Sequence, residues 1–184
     1  TNLDVQLVPM VAFTYNGTVV DSATNAPIPG ALVEITSALN TYTATCDANG
    51  NFTTPLYEDT YTIIAGKWGY QTRCISALIT TSSAPITVAI PRGYYDDFTF
   101  NFGWLSTGSS SNLWERGEPV GTYNASAEVN PEYDVSTDCE AKCYVTDNGG
   151  GAAGDNDVDG GNVLLTSPSF DLTIYTNPSI DYYR

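Results

Sequence analysis

Thr41-Tyr42-Thr43-Ala44-Thr45-Cys46-Asp47-Ala48-Asn49-Gly50-Asn51-Phe52-Thr53-Thr54-Pro55-Leu56 is a pair of strand signals separated by a turn. Threonine, tyrosine and phenylalanine suit a pleated, half-buried surface. Asn49-Gly50 supplies the positive φ values that a hairpin turn needs. The pattern predicts strands over residues 41–46 and 52–56. Working outward, it predicts further strands over 13–21, 31–36, 60–65, 71–79 and 85–90, with Ala23-Thr24-Asn25-Ala26-Pro27 as an early turn. Short strands at this spacing specify an all-β fold, a small Greek-key sandwich.

Composition agrees. The chain has 184 residues, enough for one or two domains with proper cores, and 16 glycines and 10 prolines punctuate it. Six basic residues against 21 acidic ones give a formal charge of −15. That argues against a nucleic-acid partner, because phosphate recognition needs clustered Lys or Arg. Such acidity serves solubility or holds divalent metal. No apolar run approaches the roughly 20 residues that span a bilayer, so no membrane insertion is expected. Thr1, with no basic-then-apolar leader after it, reads as a processed or internal start. Histidine is absent, which excludes Ser-His-Asp and Cys-His catalysis within this chain and the usual catalytic zinc sites.

Residues 1–10 alternate Leu3, Val5 and Leu7 before Pro9, and residues 84–93 repeat the shape with Ile86, Val88, Ile90 and Pro91. The first segment is expected to be a lead-in strand or the last strand of a preceding module.

The module at 11–93 carries five ordered motifs: Gly17-Thr18-Val19-Val20-Asp21, Pro27-Ile28-Pro29-Gly30-Ala31-Leu32-Val33, Thr45-Cys46-Asp47-Ala48-Asn49-Gly50-Asn51-Phe52, Asp59-Thr60-Tyr61-Thr62 and Ala65-Gly66-Lys67-Trp68-Gly69-Tyr70. In these it resembles the carboxypeptidase regulatory-like domain. The resemblance implies a transthyretin-like β-sandwich and a non-catalytic module appended to secreted peptidases and cell-surface proteins. Its motifs are turns and core positions, so no binding residue carries over. Trp68 and Tyr70 are expected to cover the open end of this sandwich.

Residues 94–184 form the expected second domain, whose first strand would run through Tyr94-Tyr95-Asp96-Asp97-Phe98. Phe102-Gly103-Trp104, Leu113-Trp114-Glu115-Arg116-Gly117, Asp138-Cys139-Glu140-Ala141-Lys142-Cys143 and Ile180-Asp181-Tyr182-Tyr183-Arg184 follow. Together these resemble the jelly-roll domains of the MAM and choice-of-anchor kind in secreted Bacteroidetes proteins, many of which leave by type nine secretion. A jelly roll needs eight strands and commonly more residues than this segment holds, so a truncated jelly roll is expected.

Several side chains are candidates for chemistry. The run 147–161, DNGGGAAGDNDVDGG, sets Asp155, Asp157 and Asp159 at alternate positions before Gly160. Three carboxylates so placed can turn toward one calcium ion. An EF-hand is rejected, since Thr166 stands where the closing glutamate belongs. Asp96 and Asp97, with Glu115, are expected to complete the shell, making the loop a structural clasp.

The four cysteines fit an oxidising compartment and two disulfides, with a four-cysteine zinc site as the alternative. Cys46 and Cys74 lie on separate expected strands and would pair across them, closing a loop worth about 3 kcal/mol. Cys139 and Cys143 would pair through a tight or helical turn, because an extended chain holds their Cα atoms about 13 Å apart. Trp104 and Trp114 are candidate glycan platforms, with Tyr123 and Tyr133 beside them, against a competing role in core packing. Asp21-Ser22-Ala23 resembles the Bacteroidetes O-glycosylation motif and marks Ser22.

The resulting expectation is a non-enzymatic, calcium-stabilised segment of a large secreted or surface-exposed protein, a peptidase or an adhesin. Its partners would be neighbouring domains of the parent chain, surface glycans or another surface protein. A carbohydrate- or surface-binding module is the alternative reading.

Overall fold

A computed structural model of the chain describes residues 9–183. The expected lead-in strand with Leu3, Val5 and Leu7 lies outside the described residues. The fold is all-β, and it divides into two compact units. One takes in residues 9–67 together with Arg73–Arg92; the other takes in Trp68–Thr72 and residues 93–183.

The first unit is built from β1 (Phe13–Asp21), β2 (Leu32–Thr36), β3 (Thr41–Thr45), β4 (Asn51–Leu56), β5 (Asp59–Gly66), β6 (Arg73–Ile79) and β7 (Ile86–Ile90). They form two sheets, in the orders β4-β1-β7 and β3-β2-β5-β6. Pairing is antiparallel except between β1 and β7, which run parallel from Gly17↔Ile86 to Asp21↔Ile90. The strands expected on either side of Asn49-Gly50 form as β3 and β4, but each goes to a different sheet, so the two make no hairpin. The turn between them forms with positive φ at Gly50 (+73) but not at Asn49, and the Asp47 carboxylate accepts the Asn49 and Asn51 N–H groups at 2.8 Å.

Side-chain alternation places the core. Along β4, Phe52, Thr54 and Leu56 point inward while Asn51, Thr53 and Pro55 face solvent. Tyr61, Ile63 and Ile64 of β5, Val33 and Ile35 of β2, Val19 of β1 and Val88 and Ile90 of β7 are likewise buried. Gly17 of β1 is a packing requirement, because a Cβ there would lie 2.2 Å from the Phe52 ring.

The second unit holds β8 (Leu105–Gly108), β9 (Trp114–Gly117), β10 (Thr122–Asn124), β11 (Ala127–Asn130), β12 (Cys143–Thr146), β13 (Gly151–Ala152) and β14 (Val163–Thr166). These make small sheets: β14-β8, β12-β9 and β11-β10-β13.

The strand expected through Asp96 and Asp97 does not form. Instead each of those carboxylates accepts the N–H two residues on, from Phe98 at 3.0 Å and Thr99 at 3.2 Å, and Phe98 turns to φ +55. Short acidic side chains compete with the sheet for backbone N–H groups, and here the turn wins. The aromatic stretch at 180–183 also takes no strand and is exposed.

Trp68 belongs to the same unit, where it packs against Tyr94, Phe102, Trp104 and Phe170 at centroid distances of 5.1, 6.2, 6.3 and 4.9 Å. Its indole N–H donates to the Ser169 carbonyl at 2.8 Å. An amphipathic ring goes where its face meets other rings and its N–H finds an acceptor.

Candidate functional site

The acidic loop is shaped by amides more than by carboxylates. Asp147 adopts φ +47 and opens the turn. Asn148 then satisfies three groups: its N–H donates to Glu115 at 2.5 Å, its side-chain amide donates to the Glu118 carbonyl at 2.6 Å, and its Oδ1 accepts Val120 N–H at 2.8 Å. Asn156 donates to the Gly150 carbonyl at 2.8 Å, and Asn112 donates to the Asp157 carbonyl. Asp155 accepts the Ala152 N–H at 3.1 Å, which closes a tight turn on β13.

Asp155, Asp157 and Asp159 are exposed. Among the described residues no three acidic or thiol side chains gather at metal-binding range. As arranged, the carboxylates expected to hold calcium do not form one coordinating group. Glu115 Oε1 accepts the Asn148 N–H. The asparagines were visible in the sequence only as polar residues between glycines, and nothing in their spacing disclosed these partners.

Asp96 and Asp97 sit in a different setting. Asp97 is 1% exposed and accepts the Thr99 and Cys139 N–H groups at 3.2 and 3.3 Å. Asp96 accepts the Trp104 indole N–H at 2.7 Å. Burial pushes the Asp96 carboxyl up to about 6, against the opposing pull of the Trp104 and Phe98 hydrogen bonds. Arg116 adds a brace by donating to the Phe98 and Thr99 carbonyls at 2.9 and 3.1 Å. This is a buried carboxylate turn that fixes the backbone from 96 to 99.

Trp104 is engaged on both edge and face, stacking near Phe98 at 5.4 Å and Tyr144 at 6.1 Å. That leaves little of it for a ligand. Trp114 differs: it is half-buried on β9 opposite Thr146, with no ring against it among the described residues. Tyr123 and Tyr133 are exposed. Ser22 is also exposed, in the turn after the buried Asp21, whose carboxylate accepts Ala23 and Thr24 N–H groups and pairs with Arg92 at 3.0 Å.

The cysteines correct the expected pairings. Cys74 and Cys139 are disulfide-bonded, whereas Cys46 and Cys143 carry free thiols. Cys46 follows β3 and Cys74 lies in β6, at opposite edges of the β3-β2-β5-β6 sheet. Three strand spacings amount to about 14 Å, beyond the roughly 7 Å that a disulfide tolerates. The Cys139–Cys143 bridge, expected through a tight or helical turn, does not form: Cys143 is a free thiol and lies in β12 opposite Gly117. Burial pushes both free thiols up to about 11, so neither is a ready nucleophile.

Residues 14–91 match the family model of the carboxypeptidase regulatory-like domain. The matched stretch covers β1 to β7. It also includes Trp68–Thr72, which belong to the second unit. No curated protein matches the chain. Among solved structures, a streptococcal ancillary pilin is similar at 18% identity and TM-score 0.39, over 50% of this chain and 36% of that one. The Bacillus anthracis TIE protein is similar at 10% identity and TM-score 0.37, over 84% of this chain and 26% of that one. A DUF3823 family protein from Bacteroides ovatus is similar at 11% identity and TM-score 0.35, over 88% and 83% of the two chains. The chain thus spans about a third of the pilin and a quarter of the TIE protein.

Proposed function

We propose that this chain is a non-catalytic accessory segment of a larger secreted or cell-surface protein, in which the regulatory-like module stiffens and spaces the domains around it. The match over residues 14–91 is the observation that carries this reading. The module's polar groups support it, because they are spent on structure: Asp21 ties the turn after β1 to Arg92, Asp47 closes the β3–β4 turn, and Glu58 accepts from Thr81. A disulfide fits export to an oxidising compartment. The resemblance of residues 94–184 to MAM and choice-of-anchor domains supports a bacterial surface protein, a peptidase or an adhesin, as the parent.

The test is to assay the intact chain against peptide, ester and glycoside substrates and to measure the melting temperature of the parent protein with and without it. The expected result is no turnover and a lower melting temperature for the flanking domains when the segment is removed. Turnover lost in Asp96→Asn, the carboxylate held near neutrality, would replace this reading with a hydrolase.

Trp114 favours a second reading, a glycan-binding surface, since its ring is half-exposed and free of aromatic neighbours among the described residues. Glycan-array binding that disappears in Trp114→Ala would establish it; an array with no signal removes it. For Ser22, an intact mass of the native protein equal to the unmodified chain rules out a glycan there.

A further inference from the structure

The second unit has an unusual core. Phe100 is its one buried large apolar side chain among the described residues. The rest of the packing is a set of half-buried rings, and Trp68 is the ring that unites them.

Among the described residues, Trp68 joins three groups of ring contacts. Tyr94 touches Phe170 and Tyr175 at centroid distances of 4.8 and 6.4 Å. Phe102 touches Phe100 at 5.7 Å. Trp104, Phe98 and Tyr144 form a third group, with spacings of 5.2 to 6.1 Å. Trp68 meets the first group at Tyr94 and Phe170, the second at Phe102, and the third at Trp104, which it approaches edge-on at 90°.

The backbone on either side of the ring is anchored in the same unit. Gly93 N–H donates to the Gly69 carbonyl at 3.1 Å, Thr72 N–H donates to the Tyr95 carbonyl at 3.3 Å, and Gln71 bridges Tyr95 in parallel. Gly69 takes φ +90, a conformation that lets the chain turn directly after the tryptophan.

We propose that Trp68–Thr72, the connection between β5 and β6, is a keystone strap for the second unit, which has no stable fold without it. A short connection delivered at fixed ends loses little conformational entropy on docking, whereas the same five residues supplied free would lose much more. The sequence interval that reads as the regulatory-like module therefore contains the residue on which the following unit depends.

The experiment is hydrogen exchange on the full chain, comparing the natural protein with Trp68→Ala. Amides in residues 96–104, 114–117, 143–146 and 163–171 are expected to lose about tenfold or more of their protection, with those of β1 to β7 unchanged. Trp68→Phe keeps a ring but loses the bond to Ser169 and is expected to fall between the two. Loss of protection in β5 and β6, with or without loss elsewhere, overturns the proposal, because it makes Trp68 a core residue of the first unit. Unchanged protection in the second unit overturns it too.

Discussion

β1 to β7 and β8 to β14 are both sets of seven strands, yet they are stabilised in different ways. In the first unit the strands run five to nine residues, and alternate side chains enter a shared apolar core. In the second the strands run two to four residues, and no apolar alternation is sustained. What replaces it is a ring cluster joined through Trp68, carboxylate turns at Asp96 and Asp97, and asparagine braces in the acidic loop. Repeated alternation spreads stability over many equivalent positions. A cluster with a hub concentrates it in a few.

The most severe test of this contrast is the deletion of matched leucine side chains. Leu56→Ala in β4, at a position with 0% exposure, is expected to cost about 3 kcal/mol. Leu164→Ala in β14, 53% exposed, is expected to cost less than about 1 kcal/mol. Chemical denaturation of the two variants checks this, and equal costs would remove the distinction.

Cysteine comes next. Alkylation of the denatured, unreduced chain is expected to label Cys46 and Cys143 and to spare Cys74 and Cys139, as read by peptide mass mapping. Cys46→Ala should leave Cys74 and Cys139 unlabelled as before and cost about 1 kcal/mol, the loss of one small buried side chain.

Acid should separate the two units by sign. Asp21 is held below the usual carboxylate range by Arg92 and backbone N–H groups, Asp47 by the N–H groups of Asn51 and Asn49, and Glu58 by Thr81. Groups lowered on folding contribute stability above their unfolded values and lose it as pH falls through the folded ones, so the first unit weakens below about pH 4. Asp96 is raised to about 6 by burial, so the folded state binds the extra proton. The second unit therefore gains stability as pH falls from 7 through 6 toward 4. Hydrogen exchange at pH 7 and pH 5, corrected for intrinsic rates, reads each unit separately. Asp96→Asn should remove most of the second unit's gain and leave the part due to Asp134, whose carboxyl is also raised by burial.

The smallest effect is expected at Asp157, an exposed loop residue whose carbonyl, not its carboxylate, accepts the Asn112 amide. Asp157→Ala is expected to move the melting temperature by less than about 2 °C, in calcium or in chelator. A large shift seen only in calcium would show that the loop closes around the ion.

The first unit was largely legible because period-two alternation is local. Each strand expected from 13–21 to 85–90 is present within about two residues of its expected bounds. The Asp47-Ala48-Asn49-Gly50 turn chemistry was equally local. The candidate site was legible in its residue types but not in its assembly. Asp155, Asp157 and Asp159 do stand at alternate positions, but the loop's partners come from Asn112, Glu115 and Glu118, some 30 to 45 residues away. The strand expected at Asp96 and Asp97 failed because side-chain acceptors closed turns two residues ahead.

The sequence by itself determined an all-β chain, the seven strands and turns of the first unit, and the exclusion of histidine-based chemistry. Those features depend on the identity and spacing of near neighbours. Only the tertiary structure decided which cysteines are bonded, that Asp96 accepts the Trp104 indole N–H, and that Trp68 packs with the rings of the second unit. Thiol pairing, carboxyl titration and ring packing are each set by neighbours distant in the chain. Residues 68–72 sit between two well-read strands, yet their side chains follow ring faces and carbonyls that the fold brings to them.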